Sequence, residues 1–295
     1  MILSFVNSSF CSISSLSKEI FFEMDDTIKD LERIARGIRI DILKMLTQAG
    51  SGHTGGSLSA VDILTSLYFS KMRHDPKNPR WDGRDRFILS KGHAAPVLYA
   101  VLGRSGYFDV KEFQNLRKLG CILQGHPECS RTPGVEVNSG SLGQGLSQGN
   151  GMALALRLNN SKSRVYVLLG CGETQEGQVW EAAMTTAHYK IDNLCAIMDY
   201  NRLQIDGYVK DVMAIDPIKE KWKAFGWHVI EIDGHQIEEI LSALDEAETI
   251  KGKPTMIIAN TVKGKGVSFM EDRVQYHGIA PTEEELEKAL KELES

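Results

Sequence analysis

The chain has 295 residues, enough for one large α/β domain with a substantial core. It is 42% apolar and 25% charged, as ordinary globular proteins are, and 34 basic against 39 acidic residues leave a net charge of −5. That mild acidic balance argues against nucleic-acid and membrane binding, and no stretch has the length of a transmembrane helix. The cysteines (Cys11, Cys121, Cys129, Cys171 and Cys195) are scattered, odd in number and without C-x-x-C spacing. This usage points to a reducing cytoplasm and away from a disulfide framework or a zinc site.

Residues 1–24 are rich in Ser and Phe and lack a basic n-region, so they read as a disordered extension, with Met24 as an alternative start. Residues 25–295 read as one domain. Ile28, Leu31, Ile34, Ile38, Ile42 and Met45 recur every three or four positions, which predicts an amphipathic helix to Gln48 capped by Asp25 or Asp26. AGSGHTGGS is a Gly-rich turn, followed by a helix over Ser59–Phe69 and a Pro-containing loop, HDPKNPRWDGRD.

From there strands and helices alternate. Strands are expected at Arg86–Leu89, Arg164–Leu169, Leu194–Met198, Trp227–Ile232 and Thr255–Ala259. Helices are expected at Ala94–Arg104, Gly145–Asn159, Gln178–Tyr189 and Gln236–Ile250, with a long loop from Gly120 to Gly143. The tail Thr282–Glu294 reads as a charged, solvated helix, and Trp222 and Phe225 as core. The alternation predicts an α/β fold, a mostly parallel sheet with helices on both faces. Ligands of such sheets bind outside the carboxyl ends of the strands, so the loops after Leu89, Leu169, Met198 and Ala259 should carry the function.

The most informative segment runs from Leu169 to Gly207. A buried strand leads into Gly170-Cys171-Gly172, and after a helix a second buried strand ends at Asp199-Tyr200-Asn201. Two loops at adjacent strand ends can hold one ligand between them: Gly172 lets backbone come close to a diphosphate, and Asn201 offers an uncharged oxygen to a hard cation. The segment resembles the thiamine-diphosphate motif of the transketolase family, G-D-G followed about thirty residues later by N. Here positions 171 and 201 are 30 apart. The resemblance implies a thiamine-diphosphate-binding fold with a divalent ion, Mg²⁺ or Ca²⁺, held by position 171, Asn201 and the Leu203 carbonyl. Cys171 stands where the family has Asp. A thiol is a soft ligand and mostly neutral at pH 7, so weaker metal and cofactor binding is expected than with Asp.

Further segments extend the resemblance over roughly Ile28–Pro281. SGHTGGS supplies His53, DRFILSKGHAAPVLY supplies His93, GHPE with TPGVEVNSGSLGQGLS supplies His126 and the Gly140–Leu142 loop, and VKGKGVSFMEDRVQYHG supplies His277. By family analogy His93 and His277 lie near the diphosphate and the reacting carbon. His53 and His126 line the substrate channel, and Gly140 and Leu142 offer backbone to the cofactor rings. Glu176 and Glu181 match glutamates of an interface network, or are helix N-terminal acids favoured by the macrodipole. Lys263 and Lys265 either neutralise phosphate or are simply solvated.

In the family a second domain holds the aminopyrimidine with an essential glutamate, and this chain ends about where the first domain ends. The resemblance therefore implies the N-terminal half of a split transketolase. It would transfer two-carbon ketol units between sugar phosphates, as in the pentose phosphate pathway, only with a separate C-terminal, pyrimidine-binding subunit in an α2β2 assembly. The alternatives are a related ketol synthase and, because of Cys171, a metal-impaired, non-catalytic paralogue acting as a binding or regulatory partner.

Overall fold

The computed structural model describes residues 10–294. Helix α1 spans Phe10–Ala49, so neither Asp25 nor Asp26 caps it. Of the expected extension, residues 1–9 lie outside the described residues, and the backbone of 10–24 forms the first turns of α1. No Gly or Pro interrupts the sequence between Phe10 and Arg36, so nothing local stops the helix there. It ends at Gly50, whose φ of 64° is the left-handed turn typical of a helix C-terminus.

The next helix divides in two, α2 (Thr54–Leu58) and α3 (Val61–Ser66), and runs on as a π turn over Leu67–Lys71. It starts earlier than its Gly-Gly pair suggests because close packing selects the glycines: a Cβ on Gly55 would lie 2.8 Å from Lys263 Cγ. Then follow β1 (Arg86–Leu89), α4 (Ala95–Ser105), α5 (Gln144–Leu158), β2 (Val165–Gly170), α6 (Gly177–His188) and β3 (Leu194–Tyr200). A small hairpin, β4 (Leu203–Gln204) and β5 (Gly207–Tyr208), and two short helices, α7 (Val209–Val212) and α8 (Ile218–Ala224), precede β6 (His228–Asp233), α9 (Ile237–Thr249) and β7 (Thr255–Asn260). The chain closes with α10 (Glu283–Glu294).

The main sheet is parallel throughout, in the order β1-β2-β3-β7-β6. Strand β2 explains the unbroken apolar run: Tyr166 and Leu168 pack against α1, α3, α4 and α9 on one face, and Val165, Val167 and Leu169 against α5, α6 and α8 on the other. Trp222 is fully buried and Phe225 partly so, as expected. Helix α10 is not merely solvated: Ala289 and Leu293 are buried and the helix packs on α1. The two sheet edges are the four-residue β1 and β6, whose Glu231 and Asp233 are exposed.

Candidate active site

The carboxyl ends of β1, β2, β3 and β7 open on a cavity of about 310 Å³. Strand β1 delivers Lys91 and His93 to it, β2 delivers Cys171, Gly172 and Glu173, β3 delivers Asn201 and Leu203, and β7 delivers Lys263. Each of the four loops singled out by the strand pattern contributes to its wall. His53 and Gly56 enter from the start of α2, Gly140 and Leu142 from the loop before α5, and His277 from the loop before α10.

Beneath the cavity lies a buried ionic centre. Asp199, wholly enclosed in β3, pairs with Lys91, itself 2% exposed, and accepts from the Thr261 hydroxyl, from Ser59 Oγ at 2.7 Å and from Asn201 Nδ2 at 2.8 Å. Burial would raise the Asp199 carboxyl, but the Lys91 ammonium and these donors hold it below its usual range. Lys91 also donates to the Gly56 carbonyl at 2.7 Å, which ties the His53 segment to the sheet. Glu173 is a second enclosed acidic side chain: it accepts from Ser90 Oγ and from the backbone N–H of Gly143 and Gly170, both at 2.9 Å. Burial nonetheless pushes its carboxyl up. Glu173 thereby fixes the loop before α5 against the loop after β2. The sequence reading missed Lys91, Asp199 and Glu173; the available signal was a charge breaking the buried run LCAIMDY at Asp199.

Three histidines meet over this base. The rings of His93 and His277 stack with centroids 5.3 Å apart, and His53 stands edge-on to both, at 5.0 and 5.5 Å. Burial lowers all three: His93 to about 2, helped by Lys91; His277 to about 3, helped by Lys263; and His53 to about 4, helped by His126. They are neutral imidazoles at pH 7, able to donate and accept. His53 Nδ1 is buried and makes no hydrogen bond, as expected of a group awaiting a ligand. His126 does not line the cavity. It is exposed, and its ring lies beside Gly140, where an added Cβ would come within 3.1 Å.

At the floor, Cys171 Sγ approaches Asn201 Oδ1 at 3.8 Å, and the same oxygen accepts from the Leu203 N–H at 3.1 Å. Burial raises the thiol to about 11, so it is uncharged. Lys263 Nζ reaches the Leu203 carbonyl at 3.4 Å and His277 Nδ1 at 2.7 Å. At 2% exposure Lys263 is not solvated, whereas Lys265 lies near the surface with Glu271 at 3.5 Å. Burial and neighbouring Lys91 lower Lys263 to about 8, which leaves it mostly protonated at pH 7. Lys263 has no carboxylate partner among the described residues, and such an enclosed, unneutralised cation favours an anionic ligand. Gly172 lines the same cavity, and a Cβ there would lie 3.2 Å from that of Gln204, so a side chain would crowd its neighbour. Glu176 lines the cavity rim just before α6, while Glu181 is exposed on that helix.

A family model described as "Transketolase, thiamine diphosphate binding domain" matches residues 31–294. The chain belongs to the transketolase family. Among its relatives, the 6-deoxy-6-sulfo-D-fructose transketolase subunit SqwG of Clostridium sp. (strain MSTE9) is 46% identical, over 90% of this chain and 96% of that protein. An apulose-4-phosphate transketolase subunit from Actinobacillus succinogenes (strain ATCC 55618 / DSM 22257 / CCUG 43843 / 130Z) is 45% identical, again over 90% and 96%. The crystal structure of transketolase from Campylobacter jejuni subsp. jejuni NCTC 11168 superposes with a TM-score of 0.86 at 36% identity, covering 90% of this chain and 43% of that one. This transketolase-family chain thus spans less than half the length of that solved transketolase, and nearly the whole of the two relatives named as subunits. Its fold is the α/β thiamine-diphosphate-binding fold of the family, and its cofactor is thiamine diphosphate.

Proposed function

We propose that this chain is the diphosphate-binding subunit of a two-chain transketolase, which transfers two-carbon ketol units between sugar phosphates once a second subunit completes the site. One observation carries the reading: an enclosed cation, Lys263, the backbone at Gly172 and three neutral imidazoles converge on one cavity at the strand ends. Lys263 and the Gly172 backbone would hold the diphosphate. Gly140 and Leu142, which line the same cavity, would offer backbone to the cofactor rings. When bound, thiamine diphosphate supplies the chemistry that makes and breaks the carbon–carbon bond beside a ketose carbonyl. His53, with its orphan Nδ1, is placed to hydrogen-bond a substrate oxygen, and His93 and His277 to hold or pass a proton near the reacting carbon. His126, exposed beside Gly140, would contact substrate in the channel that leads to the cavity.

The relatives named as subunits support a separately encoded partner that supplies the aminopyrimidine-binding domain, with α2β2 as the natural symmetric assembly. Glu176 and Glu181 would face that partner. The apulose-4-phosphate relative supports sugar phosphates as substrates, and the scattered free cysteines support a cytoplasmic setting. No helix among the described residues is long and apolar enough to cross a membrane. For the divalent ion, Asn201 Oδ1 and the Leu203 carbonyl remain as oxygen donors, but Cys171 contributes neither charge nor a hard ligand. The set therefore fits Mg²⁺ or Ca²⁺ poorly.

The test is reconstitution. This chain, its candidate partner and their mixture are assayed with thiamine diphosphate, Mg²⁺, ribose 5-phosphate as acceptor, and xylulose 5-phosphate, 6-deoxy-6-sulfo-D-fructose or apulose 4-phosphate as donor. Product from the mixture alone is expected. Silence of the mixture that Cys171→Asp relieves would favour the second reading, a metal-impaired paralogue, which Cys171 itself motivates.

A further inference from the structure

We propose that this chain binds thiamine diphosphate without requiring a divalent cation, because Cys171 removes the carboxylate that such an ion would bridge to the diphosphate, while Lys263 places a buried positive charge at the same spot. The proposal rests on the reading of the cavity as the diphosphate site.

Charge and donor accounting carry it. A divalent ion in a diphosphate site does two things: it neutralises the diphosphate, and it separates that anion from the acidic side chain that holds the ion. Here the acidic side chain is absent. The Cys171 thiol is enclosed, 1% exposed, and faces Asn201 Oδ1 at 3.8 Å. The amide of Asn201 turns its Nδ2 to Asp199, so only Oδ1 remains for an ion. The third donor, the Leu203 carbonyl, already has the Lys263 ammonium at 3.4 Å, so an ion bound there would lie against a like charge. The enclosed carboxylates nearby do not relieve that repulsion. Asp199 is committed to Lys91, Ser59, Thr261 and Asn201, and Glu173 to Ser90 and two backbone N–H groups. Among the described residues no three His, Cys, Asp or Glu side chains come together as a metal-ion site.

The same arrangement welcomes a bare diphosphate. Lys263 has only neutral partners, the Leu203 carbonyl and His277 Nδ1. An entering anion would meet that ammonium and the backbone at Gly172 with no carboxylate at position 171 to repel it. In this chain the ion's neutralising task falls to a side chain, and its separating task disappears.

The experiment is a calorimetric titration of the full-length chain, combined with its candidate partner subunit, with thiamine diphosphate, once with Mg²⁺ and once with EDTA. The expected result is affinities within about threefold of each other. Cys171→Asp should weaken binding in EDTA by about tenfold or more, with Mg²⁺ restoring it. Cys171→Ser, uncharged and nearly isosteric, should behave like the parent and serves if the Asp variant fails to fold. Manganese paramagnetic resonance on the cofactor-loaded chains should find no bound Mn²⁺ in the parent and one ion in the Asp variant. Parent binding that vanishes in EDTA and returns with Mg²⁺, Mn²⁺ or a softer ion such as Cd²⁺ overturns the inference and leaves the proposed function standing. Absence of binding under every condition overturns both.

Discussion

The Lys91–Asp199 pair illustrates how one enclosed charge organises a site. Both side chains are withdrawn from water, and each compensates the cost of burying the other. Asp199→Asn leaves Lys91 enclosed and unneutralised, and is expected to cost about 3–5 kcal/mol in urea denaturation. It should also loosen the His53 segment that Lys91 holds through the Gly56 carbonyl. The residues to which the family resemblance points, His53, His93, His277, Gly140, Leu142, Gly172, Asn201 and Leu203, line one cavity. Glycine-rich turns at strand ends mark places where backbone and ligand approach, and those turns stand out in any reading. Lys91, Glu173 and Lys263 were not legible as enclosed groups. A lysine in KGH or KGK reads as solvated, and only the tertiary packing of α2 against the loop after β7 encloses Lys263.

Among the secondary-structure elements, the strands were the most readable. Residues buried on both faces leave a continuous apolar run, and the β1 and β7 starts fall where that run begins. The hairpin β4–β5 and the short helices α7 and α8 escaped, because two- to seven-residue elements carry no measurable period. The charged α10 was mistaken for a solvated tail because its apolar stripe is narrow. Leu293 is 8% exposed and Ala289 wholly covered, while Glu292 binds the Ser268 N–H and hydroxyl, and Glu285 the Tyr276 hydroxyl. Leu293→Ala should therefore lower stability by about 2 kcal/mol, whereas Lys288→Ala on the exposed side should stay within about 0.5 kcal/mol, both read from urea midpoints.

Taken as a whole, the molecule concentrates its acid sensitivity in the cavity. His53, His93 and His277 titrate at about 4, 2 and 3 in the folded chain, against 6.5 when unfolded. The unfolded chain therefore takes up more protons between these values, so stability is full above pH 6.5 and falls as pH drops through 6.5 toward 4. Denaturation midpoints at pH 7.5, 6 and 5 should fall in that order, and His93→Gln, which removes the lowest of the three, should flatten the decline. An unchanged midpoint down to pH 5 would show that these rings are not withdrawn from water.

The borders of the sheet have a consequence for how copies of this chain meet one another. A parallel sheet ends in rows of unsatisfied amide and carbonyl groups, which invite a neighbouring chain to add itself as one more strand. Here one border is only four residues long, and the other carries Glu231 and Asp233 toward water, with Lys219 bound to Glu231 at 2.8 Å. A stray copy approaching along β6 meets its own negative charges. Edge-to-edge stacking of two copies along β6 is thereby disfavoured, while apolar side chains such as Met184 and Leu158 stand exposed away from that border.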